Sequence, residues 1–191
     1  MKKVFLALAL MLAVSSVSAQ TPEEKARAKA EAAALKAAKK EAKEQVKEAQ
    51  GVWEALNLQI QEKKATNETI LAECKKGQEI LQKAIKSGML EEKRLGETYA
   101  LSANLAMHPL NIMLQAASDK APFDTVYFYS NLKYLTDGLH NELKYTKVTT
   151  GETGNEAQLK TKRVQLAACG DYYIYAAQFE AACGRYQNAL E

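Results

Sequence analysis

Residues 165–191 read QLAACGDYYIYAAQFEAACGRYQNALE. Val164, Ala168, Tyr172, Tyr175, Ala176 and Phe179 recur at steps of three and four, the spacing that lines one face of an α-helix. Cys183-Gly184-Arg185 then breaks the pattern at a residue free to leave the helical region, and Tyr186 to Leu190 starts a second helical run. A helix, a tight turn and the start of another helix predict an all-α chain.

Composition points the same way. Among 191 residues only nine are Gly and three are Pro, and the remainder is dominated by helix-forming Ala, Leu, Lys and Glu. The N-terminus is Met1-Lys2-Lys3, an apolar run from Val4 to Val14, and small residues ending Val17-Ser18-Ala19. A basic end, an apolar core too short to cross about 30 Å of hydrocarbon, and a small-x-small site predict a signal peptide over 1–19, cut after Ala19. The expected location is therefore the periplasm or cell envelope, with no transmembrane span in the mature chain. Removing Lys2 and Lys3 brings a formal charge of +3 still closer to neutral, so the overall balance argues against a nucleic-acid partner.

The residue types that carry chemistry are scarce. The two histidines, His108 and His140, lie far apart, with no His-x-x-x-His, Glu-x-x-His or Cys-x-x-Cys spacing and no glycine-rich phosphate loop. Cys74, Cys169 and Cys183 sit among alanines and read as buried small hydrophobes. Were Cys169 and Cys183 on one helix they would stand ~21 Å apart, beyond disulfide reach. Paired acids such as Glu23-Glu24 and Glu91-Glu92 open helices, where the helix dipole accounts for them. The expectation is no enzyme, no metal and no cofactor.

Along the chain, Thr21-Pro22-Glu23-Glu24 opens an Ala/Lys/Glu-rich long helix within 20–64. Leu35 is the only large apolar residue of its first half, which should be solvated. From there Leu35, Ala42, Ala49 and Leu56, interleaved with Val46, Trp53 and Ile60, form a heptad-like seam anchored by Trp53. Further helices are expected from Thr66 or Asn67 to Lys86, from about Glu91 to Met107, from Leu110 to Ser118 after a restart at Pro109, and from an Asp124 cap to near Tyr145. The third and fourth would form one hairpin. Thr149 to Asn155 reads as a loop, followed by a helix beginning near Glu156.

The closing segment resembles the hinge of a tetratricopeptide repeat: Tyr173, Ala176, Ala177, Gly184, Tyr186 and Ala189 match its pattern, while Glu180 stands where an aromatic residue is usual. With the Ser18-Ala19-Gln20 signal end and Pro122-Phe123-Asp124-Thr125 before an aromatic helix, the chain is similar to exported tetratricopeptide-like proteins of Bacteroidota. The resemblance implies an irregular stack of antiparallel helical hairpins over 65–191, a repeat hinge at Gly184, Tyr186 and Ala189, and a final hairpin left incomplete, so that self-association through it is expected. Asp124-Thr125-Val126 also resembles an O-glycosylation acceptor in such proteins, which would make Thr125 a modified residue.

Nine tyrosines supply the remaining signal. Tyr127, Tyr129 and Tyr134 share one predicted helix, and Tyr172, Tyr173 and Tyr175 another; neighbours at these spacings cannot all face one core. They are candidates for contacts with a protein or peptide partner, against a role as helix-to-helix staples. A non-enzymatic exported interaction module is the leading functional expectation. The alternative is a periplasmic holdase chaperone with a coiled-coil arm.

Overall fold

The computed structural model describes residues 21–145, 157, 160, 161, 163–171, 173 and 174. Four helices are bounded within them: α1 (Pro22–Gln61), α2 (Asn67–Ser87), α3 (Glu92–Ser118) and α4 (Thr125–Tyr145). Residues 163–171 are helical as well, and no strand occurs among the described residues. The signal-peptide region, the loop at 149–155 and the Cys183–Arg185 turn with Gly184, Tyr186 and Ala189 lie outside them. The chain divides into two units, Met1–Ala37 and Ala38–Glu191.

In the first unit, α1 begins with a reciprocal cap. The Glu24 amide donates to Thr21 Oγ1 at 3.3 Å and the Thr21 amide to Glu24 Oε2 at 3.0 Å. Every residue from Thr21 to Ala37 is exposed, as a stretch with one large apolar side chain requires.

In the second unit the rest of α1 buries Ala42, Ala49 and Leu56 of the seam read from the heptad spacing, while Val46, Trp53 and Ile60 pack beside them; Leu35, which that seam also included, is exposed. Ala49 and Leu56 meet Cys74 and Leu81 of α2 and Leu101 and Leu105 of α3 in one apolar cluster. A smaller one joins Ala42, Ala84 and Leu90. The third and largest lies between α3 and α4, where Ala106, Leu110 and Met113 face Phe128, Leu132, Leu135 and Leu139, with Cys169 added from the helical residues 163–171. Successive helices are joined by short connections and run antiparallel, as the contacts Ala42 to Ala84, Gln78 to Ser102 and Tyr99 to Tyr145 show.

The caps follow local chemistry. Thr66 Oγ1 accepts from the Thr69 amide at 3.2 Å, and α2 ends at Gly88, whose φ of 67° is the left-handed conformation that glycine adopts without a Cβ clash. Asp124 Oδ1 accepts from the Tyr127 amide at 2.9 Å and starts α4 as expected.

One expectation is overturned. His108-Pro109 does not restart the chain, and there is no hairpin between residues 91 and 118, because α3 runs unbroken from Glu92 to Ser118 with Pro109 inside it. Proline lacks the N–H that would bond to the Leu105 carbonyl, a defect of about 3 kcal/mol. Leu105, Leu110 and Met113 are buried on both sides of it, each worth roughly 1.5–3 kcal/mol, and together these outweigh the loss.

Candidate interaction surface

The three tyrosines of α4 are half-buried, Tyr127 and Tyr134 on one flank of its buried face and Tyr129 on the other. Tyr127 spends its hydroxyl on the fold, donating to the Leu71 carbonyl of α2 at 3.2 Å, with Lys75 Nζ 5.9 Å from its ring centre. Burial pushes its phenol up to about 12, against a smaller downward pull from Asn131. Tyr129 sets its ring edge-on to Phe128 at 5.5 Å, and both Tyr129 and Tyr134 are half-buried against the α3–α4 core. Tyr127 is thus a staple between α4 and α2, and Tyr129 and Tyr134 add half-buried area to the α3–α4 core. Tyr173 is different: it is 49 % exposed, and its hydroxyl lies 3.2 Å from Thr136 Oγ1. Tyr172 and Tyr175 lie outside the described residues.

Near Tyr173 the surface holds a shallow recess of about 130 Å³, walled by Ala103, Asn104 and Met107 of α3, floored by Leu135 and Leu139 of α4, and closed by Gln165, Ala168 and Cys169. Apolar side chains stand in solvent on two of these elements, Met107 at 38 % exposure and Val164 at 62 %. The Cys169 thiol donates to the Gln165 carbonyl at 3.4 Å, and burial raises its pKa, so it holds its proton and is a weak nucleophile. Cys74 is fully buried and pushed up to about 12 by desolvation, with Glu73 adding to the effect. Cys183 lies outside the described residues.

His108, on α3 just before Pro109, is half-buried. Its ring lies 5.6 Å from that of Trp53, and burial lowers its pKa. His140 is exposed. Among the described residues no group of three or more His, Cys, Asp or Glu side chains converges as a metal site would require, and no helix is long and apolar enough to cross a membrane. Thr125 is the first residue of α4 and is partly buried, next to the exposed Asp124 and Val126.

Sequence reasoning missed two arrangements. One is a buried polar pair: Gln78 Nε2 donates to the Ser102 carbonyl at 2.7 Å, and Ser102 Oγ donates to Gln78 Oε1 at 3.0 Å. The other is the recess itself, which gathers three separate segments that no spacing relates. The recess, with its apolar floor, is the part of this surface, among the described residues, that the tyrosines of α4 do not fill. Comparison with protein-family models, with curated proteins and with solved structures finds no match to this chain.

Proposed function

We propose that this chain is an exported, non-enzymatic helical module that binds a protein or peptide partner, built as an irregular stack of antiparallel hairpins similar to tetratricopeptide-like proteins. The observation that carries the reading is the recess between α3, α4 and the helical residues 163–171. Its floor is apolar, its volume suits one small apolar group, and Met107 on its wall is partly exposed. A partner side chain seated over Leu135 and Leu139 would bury Met107, and Asn104 would supply a polar contact at its edge.

The test is a photo-reactive amino acid placed at Met107 or, as a control, at the exposed Leu58 of α1, with crosslinking in intact cells of the native host. A discrete adduct from position 107 and none from position 58 is the expected result. Equal crosslinking from both positions, or none from 107, would remove the recess as the binding surface.

A second reading, a holdase chaperone, draws on the exposed helical stretch from Thr21 to Ala37. It requires that the chain suppress aggregation of an unfolded outer-membrane protein, and that exchanging Leu35 for Glu abolish the effect.

A further inference from the structure

The connection between α1 and α2 is Glu62-Lys63-Lys64-Ala65-Thr66, a run of helix-forming residues closed by the cap of α2, with neither Gly nor Pro in it. The other two connections carry a breaker each, Gly88 after α2 and the exposed Pro122 after α3. Lys63 holds a left-handed backbone, φ 56°, at the place just past a helix end where glycine is usual. Its amide donates to the Ile60 carbonyl at 3.0 Å, and the Lys64 amide donates to the Gln59 carbonyl at 2.8 Å. A residue with a Cβ is strained in that conformation, and the strain is relieved if the chain runs straight from α1 into α2.

The apolar faces of the two helices keep one phase across this turn. Seven-residue steps lead from Ala42 through Ala49, Leu56, Lys63, Ile70 and Gly77 to Ala84, and from Val46 through Trp53, Ile60, Asn67 and Cys74 to Leu81. All but Lys63 and Asn67 are buried or packed against the apolar clusters of the second unit. Two helices that fold back on each other have no need of a common phase, because the turn sets each rotation by itself. One continuous helix does need it, because both of its halves then face the same neighbour.

We propose that two copies of this chain exchange residues 38–61 of α1, with α1 and α2 of each copy joined as one helix and the two long helices lying antiparallel. Ala42 then meets the partner's Ala84, and Ala49 and Leu56 meet the partner's Cys74 and Leu81, contacts that the single chain makes within itself. A second copy is the occupant because the groove left on α2 and α3 is already shaped to the side chains of α1. The left-handed winding that a seven-residue repeat imposes keeps the stripe on the shared side. Lys63 and Asn67 fall where the long helices cross the symmetry axis, and the lysine stem can lie along the partner with its ammonium in water. Since the seam is the same in both forms, the hinge decides between them. Relief of Lys63 and new backbone hydrogen bonds favour the exchanged dimer, while the Thr66 cap and the entropy of association favour the single chain.

The experiment uses the full chain, equilibrated by slow removal of urea and followed by light scattering of size-exclusion fractions over about two decades of concentration. A dimer that grows with concentration is expected. Lys63→Gly relaxes the turn and weakens the continuous helix, and is expected to lower the association constant roughly 100-fold, about a factor of ten for each of the two hinges. Thr66→Ala removes the cap and is expected to raise it roughly 25-fold, about a factor of five for each hinge. Lys120→Gly is the control, because Lys120 has the same backbone conformation, φ 55°, in the connection interrupted by Pro122; it is expected to leave the constant unchanged. A photo-reactive residue is then placed at Lys43, whose ammonium lies 2.9 Å from the Glu91 carboxylate, and these chains are mixed with isotope-heavy ones. In the dimer fraction it is expected to crosslink near Glu91 of the other chain, and in the monomer fraction near Glu91 of its own. A chain that stays monomeric throughout would overturn the proposal, as would dimers crosslinked only within single chains, or equal effects of Lys63→Gly and Lys120→Gly. Association through the apolar run from Val4 to Val14 is common to all variants and would not respond to residue 63.

Discussion

Gln78 of α2 and Ser102 of α3 each serve the other as donor and acceptor in the middle of the helix–helix contact, with both side chains about 98 % buried. The pair fixes the register of the two helices, because a shift of one turn would leave an amide and a hydroxyl buried without partners. Ser102→Ala removes one bond and strands Gln78 Oε1, and should cost about 1–3 kcal/mol in urea unfolding. Gln78→Met together with Ser102→Ala removes both polar partners and should recover at least half of that loss. A double variant as unstable as the sum of its singles would show that the pair is not coupled.

Two glycines in helices should respond oppositely to alanine. A Cβ on Gly138 of α4 would meet the Tyr99 carbonyl oxygen at 2.8 Å and the Ala103 amide nitrogen and Cβ at 2.9 Å, mostly backbone that cannot move aside. Gly138→Ala should therefore destabilise by about 1–3 kcal/mol by forcing α3 and α4 apart, despite alanine's better helix propensity. At Gly51 of α1 nothing lies within 4 Å, so Gly51→Ala should stabilise by about 0.5–1 kcal/mol. Thermal unfolding of the two variants side by side checks both signs.

His108 makes stability depend on pH. Burial against Trp53 lowers its pKa below the ordinary value of about 6.5, so the folded chain binds this proton less readily than the unfolded one. Its contribution is present above the unfolded-state pKa and is lost as pH falls through the lower folded-state pKa. Urea midpoints should fall between pH 7.5 and about 5.5 in the parent, and by less in His108→Phe. Identical pH dependence in the two proteins would remove His108 as the cause.

The elements with local signals were legible in advance. Thr21 and Pro22 at the start of α1, Ser87-Gly88 after α2 and Asp124 before α4 mark helix ends through hydrogen bonds and backbone freedom that reach only a few residues. The seam from Ala42 to Ile60 was legible as well, because its period is that of the helix that carries it. Pro109 was misread because its penalty is local, whereas the burial that overcomes it comes from helices α2 and α4, distant in sequence.

By its own pattern of small, apolar and charged residues, the sequence determined that the described part of this chain is helical and where most of its helices begin and end. Tertiary packing alone decided that Tyr127 ties α4 to α2, that His108 is half-buried beside Trp53, and that Met107, Leu135 and Cys169 border one recess. The physical reason is range. Caps and helical periods act over one or two turns, but what a side chain touches depends on which helix crosses its own, and at what distance.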